Sequence, residues 1–265
     1  MSNLVSRLLV VAVALPVVLG AVYLGGWWLF VLIAAAGLVA LHEFWLLARP
    51  LSPLVPAGYV GGVLALVGAQ LGDAGWMVGG AMTALPLAFV LKGIADTRQA
   101  ATASISATVM GTVWIGCGLA FALLLRDIPV HAVLATFTVL LAVWAGDTLA
   151  YVGGRLLGRH RMAPHVSPGK TWEGFAFGTA ATVFVAFVAL YDSNFLSIPE
   201  SLVLGGVLAV AAPLGDLFES MLKRDMQVKD TGRLLGGHGG VLDRIDALLL
   251  AGVAAYVAAL AVGRT

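Results

Sequence analysis

Charged residues are scarce in this chain: 11% of its 265 residues, against about 25% in soluble domains. That shortage of polar surface excludes a soluble globular domain. Thiols are scarcer still. The single cysteine, Cys117, excludes an intramolecular disulfide and a zinc site built on several cysteines. It sits in an apolar run and reads as a small packing residue.

In place of charge there is apolar sequence, 60% of the chain, in runs long enough for helices of about 20 residues that cross a bilayer. The pattern predicts an all-α, polytopic transmembrane helical bundle of nine spans. Their expected bounds are 4–24, 27–47, 54–72, 75–92, 104–125, 131–153, 172–191, 201–222 and 241–262. The first run, with Arg7 near its start, resembles a signal peptide. It has no clear small-residue cleavage site and leads directly into further spans, so a retained helix is expected. The 33 glycines suit close helix–helix approach in lipid.

Basic residues set the expected orientation. With nine spans, the amino terminus and alternate loops hold twelve of them: Arg7, Arg49, Lys92, Arg98, Arg155, Arg159, Arg161, Lys170, Lys223, Arg224, Lys229 and Arg233. The opposite side holds Arg126 and Arg264. This bias makes the amino terminus cytoplasmic.

Chemistry is concentrated late in the chain. Ten of the 15 basic residues lie from Arg155 onward, so residues 1–130 read as scaffold helices and 131–265 as the catalytic region of one integrated membrane domain. Glu43, beside His42, is the exception in the first half. A zinc-binding His-Glu-x-x-His motif would need histidine where Leu46 stands. Glu43 therefore points either into the bundle or toward the headgroups.

Asp147, Tyr151 and Arg155 follow at helical spacing along one face. An aspartate inside an apolar span is costly and marks a functional cavity, unless Asp147 and Arg155 form a structural pair near the interface. In the next loop, Gly169-Lys170-Thr171 suggests a phosphate-binding P-loop, but Pro164 stands where that motif needs glycine. What remains is a basic turn in which Ser167 or Thr171 caps a helix, while Lys170 at the helix amino terminus offers a phosphate site.

The most informative stretch runs from Asp216 to Asp246. Asp216, Glu219, Ser220 and Lys223 form a polar stripe on an otherwise apolar helix. A charged loop follows, with Arg224, Lys229, Asp230 and Arg233, then Gly236-Gly237-His238-Gly239-Gly240, and finally Asp243-Arg244-Ile245-Asp246. Asp216, Asp243 and Asp246 are candidate oxygen ligands for Mg²⁺, which takes one or two carboxylates plus phosphate and water. Lys223, Arg224, Lys229 and Arg233 supply positive charge for a triphosphate. The glycines around His238 let backbone approach phosphate closely. Together these features point to metal-assisted phosphoryl or nucleotidyl transfer to a lipid headgroup.

The 27 positions from Ser220 to Asp246 resemble the signature of the phosphatidate cytidylyltransferases (CDP-diacylglycerol synthases). The shared positions are Ser220, Leu222-Lys223-Arg224, Lys229-Asp230, Gly232, Leu235-Gly236, His238-Gly239-Gly240-Val241 and Asp243 to Asp246. Upstream, Asp147-Thr148, Ala150-Tyr151, Gly154-Arg155, Ser167-Pro168 and Lys170 to Gly174 are similar to the same family. Many of its members carry proline where this chain has Gly236.

The resemblance implies that CTP and phosphatidic acid give CDP-diacylglycerol and pyrophosphate, with Mg²⁺ and one or two cations bridging the triphosphate. It implies Asp216, Asp243 and Asp246 as metal ligands, acting with Lys223 and Arg224. Nucleotide contacts would come from Asp147, Lys170, Ser220, Lys229, Asp230, Arg233, His238, Gly239, Gly240 and Arg244. His238 would contact phosphate or the metal shell, and Asp230 and Glu219 would support the ligands. A homodimer in a bacterial inner membrane, with its site facing the cytoplasm and no nucleic-acid partner, completes the expectation. The rival chemistries are a CTP-dependent lipid kinase, which would release CDP, and a transporter of an anionic solute. A transporter would be expected to carry broken helices in both halves of the chain.

Overall fold

A computed structural model describes residues 3–95, 100–191, 193, 195–232 and 239–262, with side chains from residue 12 onward. The chain is helical almost throughout. Helices α1 (Asn3–Leu24), α2 (Gly26–Leu47), α3 (Val55–Leu71), α4 (Ala74–Met82), α5 (Ala84–Ala95) and α6 (Ala101–Gly111) come first. A π-helical turn, Thr112–Cys117, joins α6 to α7 (Gly118–Arg126). Then follow α8 (Ala132–Leu157), a hairpin of β1 (Arg161–Ala163) and β2 (Ser167–Thr171), α9 (Trp172–Leu190), α10 (Ile198–Asp225) and α11 (Leu242–Ala261).

Seven helical stretches among the described residues are long and apolar enough to cross a bilayer: α2, α4–α5, α6–α7, α8, α9, α10 and α11. The protein is an all-α, polytopic integral membrane protein; the one sheet among the described residues is the antiparallel β1–β2 hairpin. Two further apolar stretches are shorter, Ala12–Leu24 and α3. The 17 residues of α3 reach about 25 Å at 1.5 Å per residue, at the lower limit of about 17 residues for a helix that crosses a bilayer.

Local chemistry explains several helix ends. Asp73 caps α4, accepting from the Gly75 and Trp76 amides at 2.7 and 3.0 Å. Thr171 caps α9 through the Gly174 amide at 3.1 Å. Glu200, in the first turn of α10, reaches back to the Ser197 amide at 2.7 Å, the acidic half of a capping box. Lys223 and Arg224 occupy the last turn of α10, where positive charge suits the helix dipole.

The chain divides into two compact units. The first comprises residues 1–124 and 226–245. Its core includes Leu41, Phe44, Met77 and Ile115, and Phe44 stacks edge-on against Trp45 and Trp114. Gly58 and Gly111 lie directly against Trp45, so neither position has room for a side chain.

The second unit comprises residues 125–225 and 246–265. Val143, Leu190, Phe195, Leu208 and Ala251 form its core. Helix α8 packs along α9, and α9 along α10. The α8–α9 contact depends on small residues: a Cβ on Gly178 would lie 2.9 Å from Ala150 Cβ, and one on Gly153 would lie 2.6 Å from the Phe177 ring.

Candidate active site

In the second unit, the polar stripe of α10 meets charged groups from three other elements. The Lys170 ammonium of β2 lies 2.8 Å from Asp216 Oδ2 and donates to the Pro213 carbonyl at 3.3 Å. Ser220 donates to Asp216 Oδ1, also at 3.3 Å. One turn on, Glu219 is fully buried and pairs with Lys223 at 3.2 Å. Asp246 of α11, itself 9% exposed, interacts electrostatically with Glu219, Asp216 and Lys223. Asp147, on an exposed stretch of α8, interacts electrostatically with Asp216, Asp246 and Lys170. Lys170 and Lys223 offset part of the charge of these four carboxylates, which need nearby cations or donors when withdrawn from water.

The alternative reading of Asp147, a structural pair with Arg155, is not the one the structure takes. Eight residues of helix separate the two by about 12 Å, and Arg155 donates instead to the Tyr151 hydroxyl at 2.9 Å. The basic turn after α8 is a hairpin, and Arg224 at the end of α10 fastens it by donating to the Val166 carbonyl at 3.0 Å. Of the two capping candidates, Thr171 caps α9, whereas Ser167 lies in β2. Glu173 is taken up by His160, 2.6 Å from its ring Nδ1.

The first unit holds the other half of the sequence motif. Asp243 Oδ2 accepts from the Gly240 amide at 2.7 Å and the Thr231 amide at 3.1 Å. Gly239 has φ +79°, and a Cβ there would lie 2.7 Å from the same oxygen, so only glycine suits the position. Glu43 is 4% exposed, and its two oxygens accept from the Val241 and Leu242 amides at 3.0 and 2.8 Å. Glu43 is thus turned into the first unit, against the amides that open α11. Lys229, Asp230 and Arg244 are exposed. Arg233 and His238 lie outside the described residues.

Among the described residues no three His, Cys, Asp or Glu side chains gather tightly enough to form a metal cage by themselves. The donors on α10 and α11 are nonetheless all oxygens, the set that suits Mg²⁺. That ion keeps water and substrate phosphate in its shell and does not need a complete protein cage. The residues therefore fit it.

The sequence model of the cytidylyltransferase family matches residues 5–262. A phosphatidate cytidylyltransferase of Haemophilus influenzae is 42% identical over 128 residues, 46% of this chain and 44% of that protein. One from Staphylococcus haemolyticus is 41% identical over 142 residues, 53% of this chain and 54% of its own. One from Mycobacterium bovis is 39% identical over 157 residues, 58% and 50% of the two chains. The chain spans about half the length of the curated relatives it matches.

Proposed function

The chain belongs to the cytidylyltransferase family, and from that premise we propose that it transfers a cytidylyl group from CTP to phosphatidic acid. A phosphate oxygen of the lipid attacks the α-phosphorus of CTP. The bond from that phosphorus to the β-phosphate oxygen breaks, and pyrophosphate leaves as CDP-diacylglycerol forms. The lipid phosphate is already anionic, so no general base is required. The observation that carries this reading is the Lys170–Asp216 pair at 2.8 Å, set beside Lys223, Glu219 and Asp246 on the motif helices.

Asp216 and Asp246 are the proposed Mg²⁺ ligands, and the motif supplies Asp243 one turn before Asp246 as the third. The ion, or a pair of cations, would neutralise charge on the triphosphate as it develops. Lys170 and Lys223 are held in place by carboxylates; they orient the phosphates and offset charge on the leaving pyrophosphate. Arg224 fixes the hairpin that carries Lys170. Asp147, Ser220, Lys229, Asp230, Arg233, His238, Gly239, Gly240 and Arg244 are the proposed nucleotide contacts. Residues 131–265 supply most of this machinery, with 1–130 as scaffold.

Nine spans, with α1 and α3 completing the seven long stretches, would put the amino terminus and the basic loops in the cytoplasm of a bacterial inner membrane, where CTP is found. A homodimer is the proposed assembly. The deciding experiment uses purified protein in detergent with phosphatidic acid, α-labelled CTP and Mg²⁺. Labelled CDP-lipid and pyrophosphate are expected, with both lost in Asp246→Asn. CDP with a phosphorylated lipid would instead identify a lipid kinase, and absence of turnover would favour transport.

A further inference from the structure

We infer that Glu43 is a positioning residue for Asp243: it fixes the backbone from which the motif aspartate projects. The inference rests on the proposed role of Asp243 in catalysis. A helix amino terminus is ordinarily capped by a nearby Ser, Thr, Asp or Asn. Helix α11 is preceded by Gly239, Gly240 and Val241, none of which has a side chain able to cap. The chain instead brings a carboxylate from α2, 198 and 199 positions away in sequence. Consecutive amides are then divided between two acids. Gly240 donates to Asp243, and Val241 and Leu242 donate to Glu43.

The fit around that carboxylate is close. A Cβ on Gly232 would collide with Glu43 Oε1, and one on Gly240 would lie 2.5 Å from Oε2 and 2.6 Å from Thr231 Oγ1. Both strands of the motif loop, at 231–232 and at 239–242, are thereby held against the same acid. Thr231 also donates its amide to Asp243, so a shift of either strand moves the aspartate. A carboxylate 4% exposed and committed to two amides holds an orientation that a solvent-exposed cap could not.

The test is Glu43→Gln in the full-length, detergent-solubilised protein. Glutamine keeps the size but sets an NH₂ against one of the two amides. Loss of a supporting partner of this kind should lower kcat roughly 10- to 100-fold, with the KM for CTP changed less than about twofold. Hydrogen exchange over 239–243 should accelerate, while exchange over 201–222 stays as in the parent. Faster exchange with parental kcat would overturn the inference, leaving Glu43 a cap only. Should Glu43→Gln fail to fold, Gly232→Ala decides, since its Cβ displaces the same carboxylate with the acid retained; parental kcat there also overturns it. Asp243→Asn separates the premise: an active Asp243→Asn removes the aspartate from catalysis, whatever exchange shows at Glu43.

Discussion

Lys170 and Asp216 form a 2.8 Å ion pair that joins β2 to α10. The same ammonium donates to the carbonyl of Pro213, within the α10 turn that leads to Asp216. A lysine with three donors, two of them committed to one helix, is held in a fixed position and cannot sweep freely through solvent. That is the state in which a cation can stabilise charge that appears only during reaction.

Lys170→Met should therefore damage catalysis more than folding. Removal of a preorganised charge donor costs on the order of 100-fold in kcat, and a loss of that size in kcat/KM for CTP is expected. The variant should still insert and remain monodisperse, because the pair is partly exposed and such pairs contribute little to stability. Lys170→Arg keeps the charge but not the single-point geometry, so it should recover only part of the activity. Steady-state pyrophosphate release measures both. Parental turnover in Lys170→Met would remove this residue from the site.

The glycines of α8 and α9 predict a stability effect with a built-in control. Gly178→Leu would push a side chain into Ala150 and the Gly146 carbonyl, each 2.9 Å from its Cβ. Overpacking of this kind costs about 1–3 kcal/mol, so thermal unfolding in detergent should shift down by several degrees. Gly206 in α10 faces open space, with nothing within 4 Å of an added Cβ. Gly206→Ala should be neutral, or stabilising by up to about 1 kcal/mol through helix propensity. Equal melting temperatures for the two variants would contradict the packing.

How much of this was legible in the sequence depended on range. The α10 stripe is a local pattern: Asp216, Glu219, Ser220 and Lys223 share a face by spacing alone, and the Ser220–Asp216 and Lys223–Glu219 contacts follow from it. Asp147 and Arg155 share a face too, yet spacing along a face does not bring side chains within reach, and Tyr151 lay nearer to Arg155. Glu43 was recognisable as an acid that burial would oblige to find partners. Its partners are backbone amides almost 200 residues away, and no local pattern specifies those. The hairpin was hidden for a related reason. Its short strands carry a proline, a glycine and charges, and its attachment depends on Arg224 reaching Val166 from another element.

Thr171 provides the last test, because it links helix formation to the site beside it. Its hydroxyl caps α9 through the Gly174 amide, its side chain is 3% exposed, and the next residue toward the amino terminus is Lys170. Gly154, Gly158 and Gly174 all crowd its Oγ1, so shape and hydrogen bonding must be separated. Thr171→Val keeps the shape and removes the acceptor, which should cost about 1 kcal/mol and lower the melting temperature measurably. Thr171→Ser keeps the hydroxyl and should retain the cap at the smaller cost of one methyl. Because the capped turn also sets the end of β2, Thr171→Val should lower kcat as Lys170 loses its register, whereas Thr171→Ser should stay near the parent. If valine and serine melted and turned over alike, the methyl and not the hydroxyl would be what holds β2 to α9.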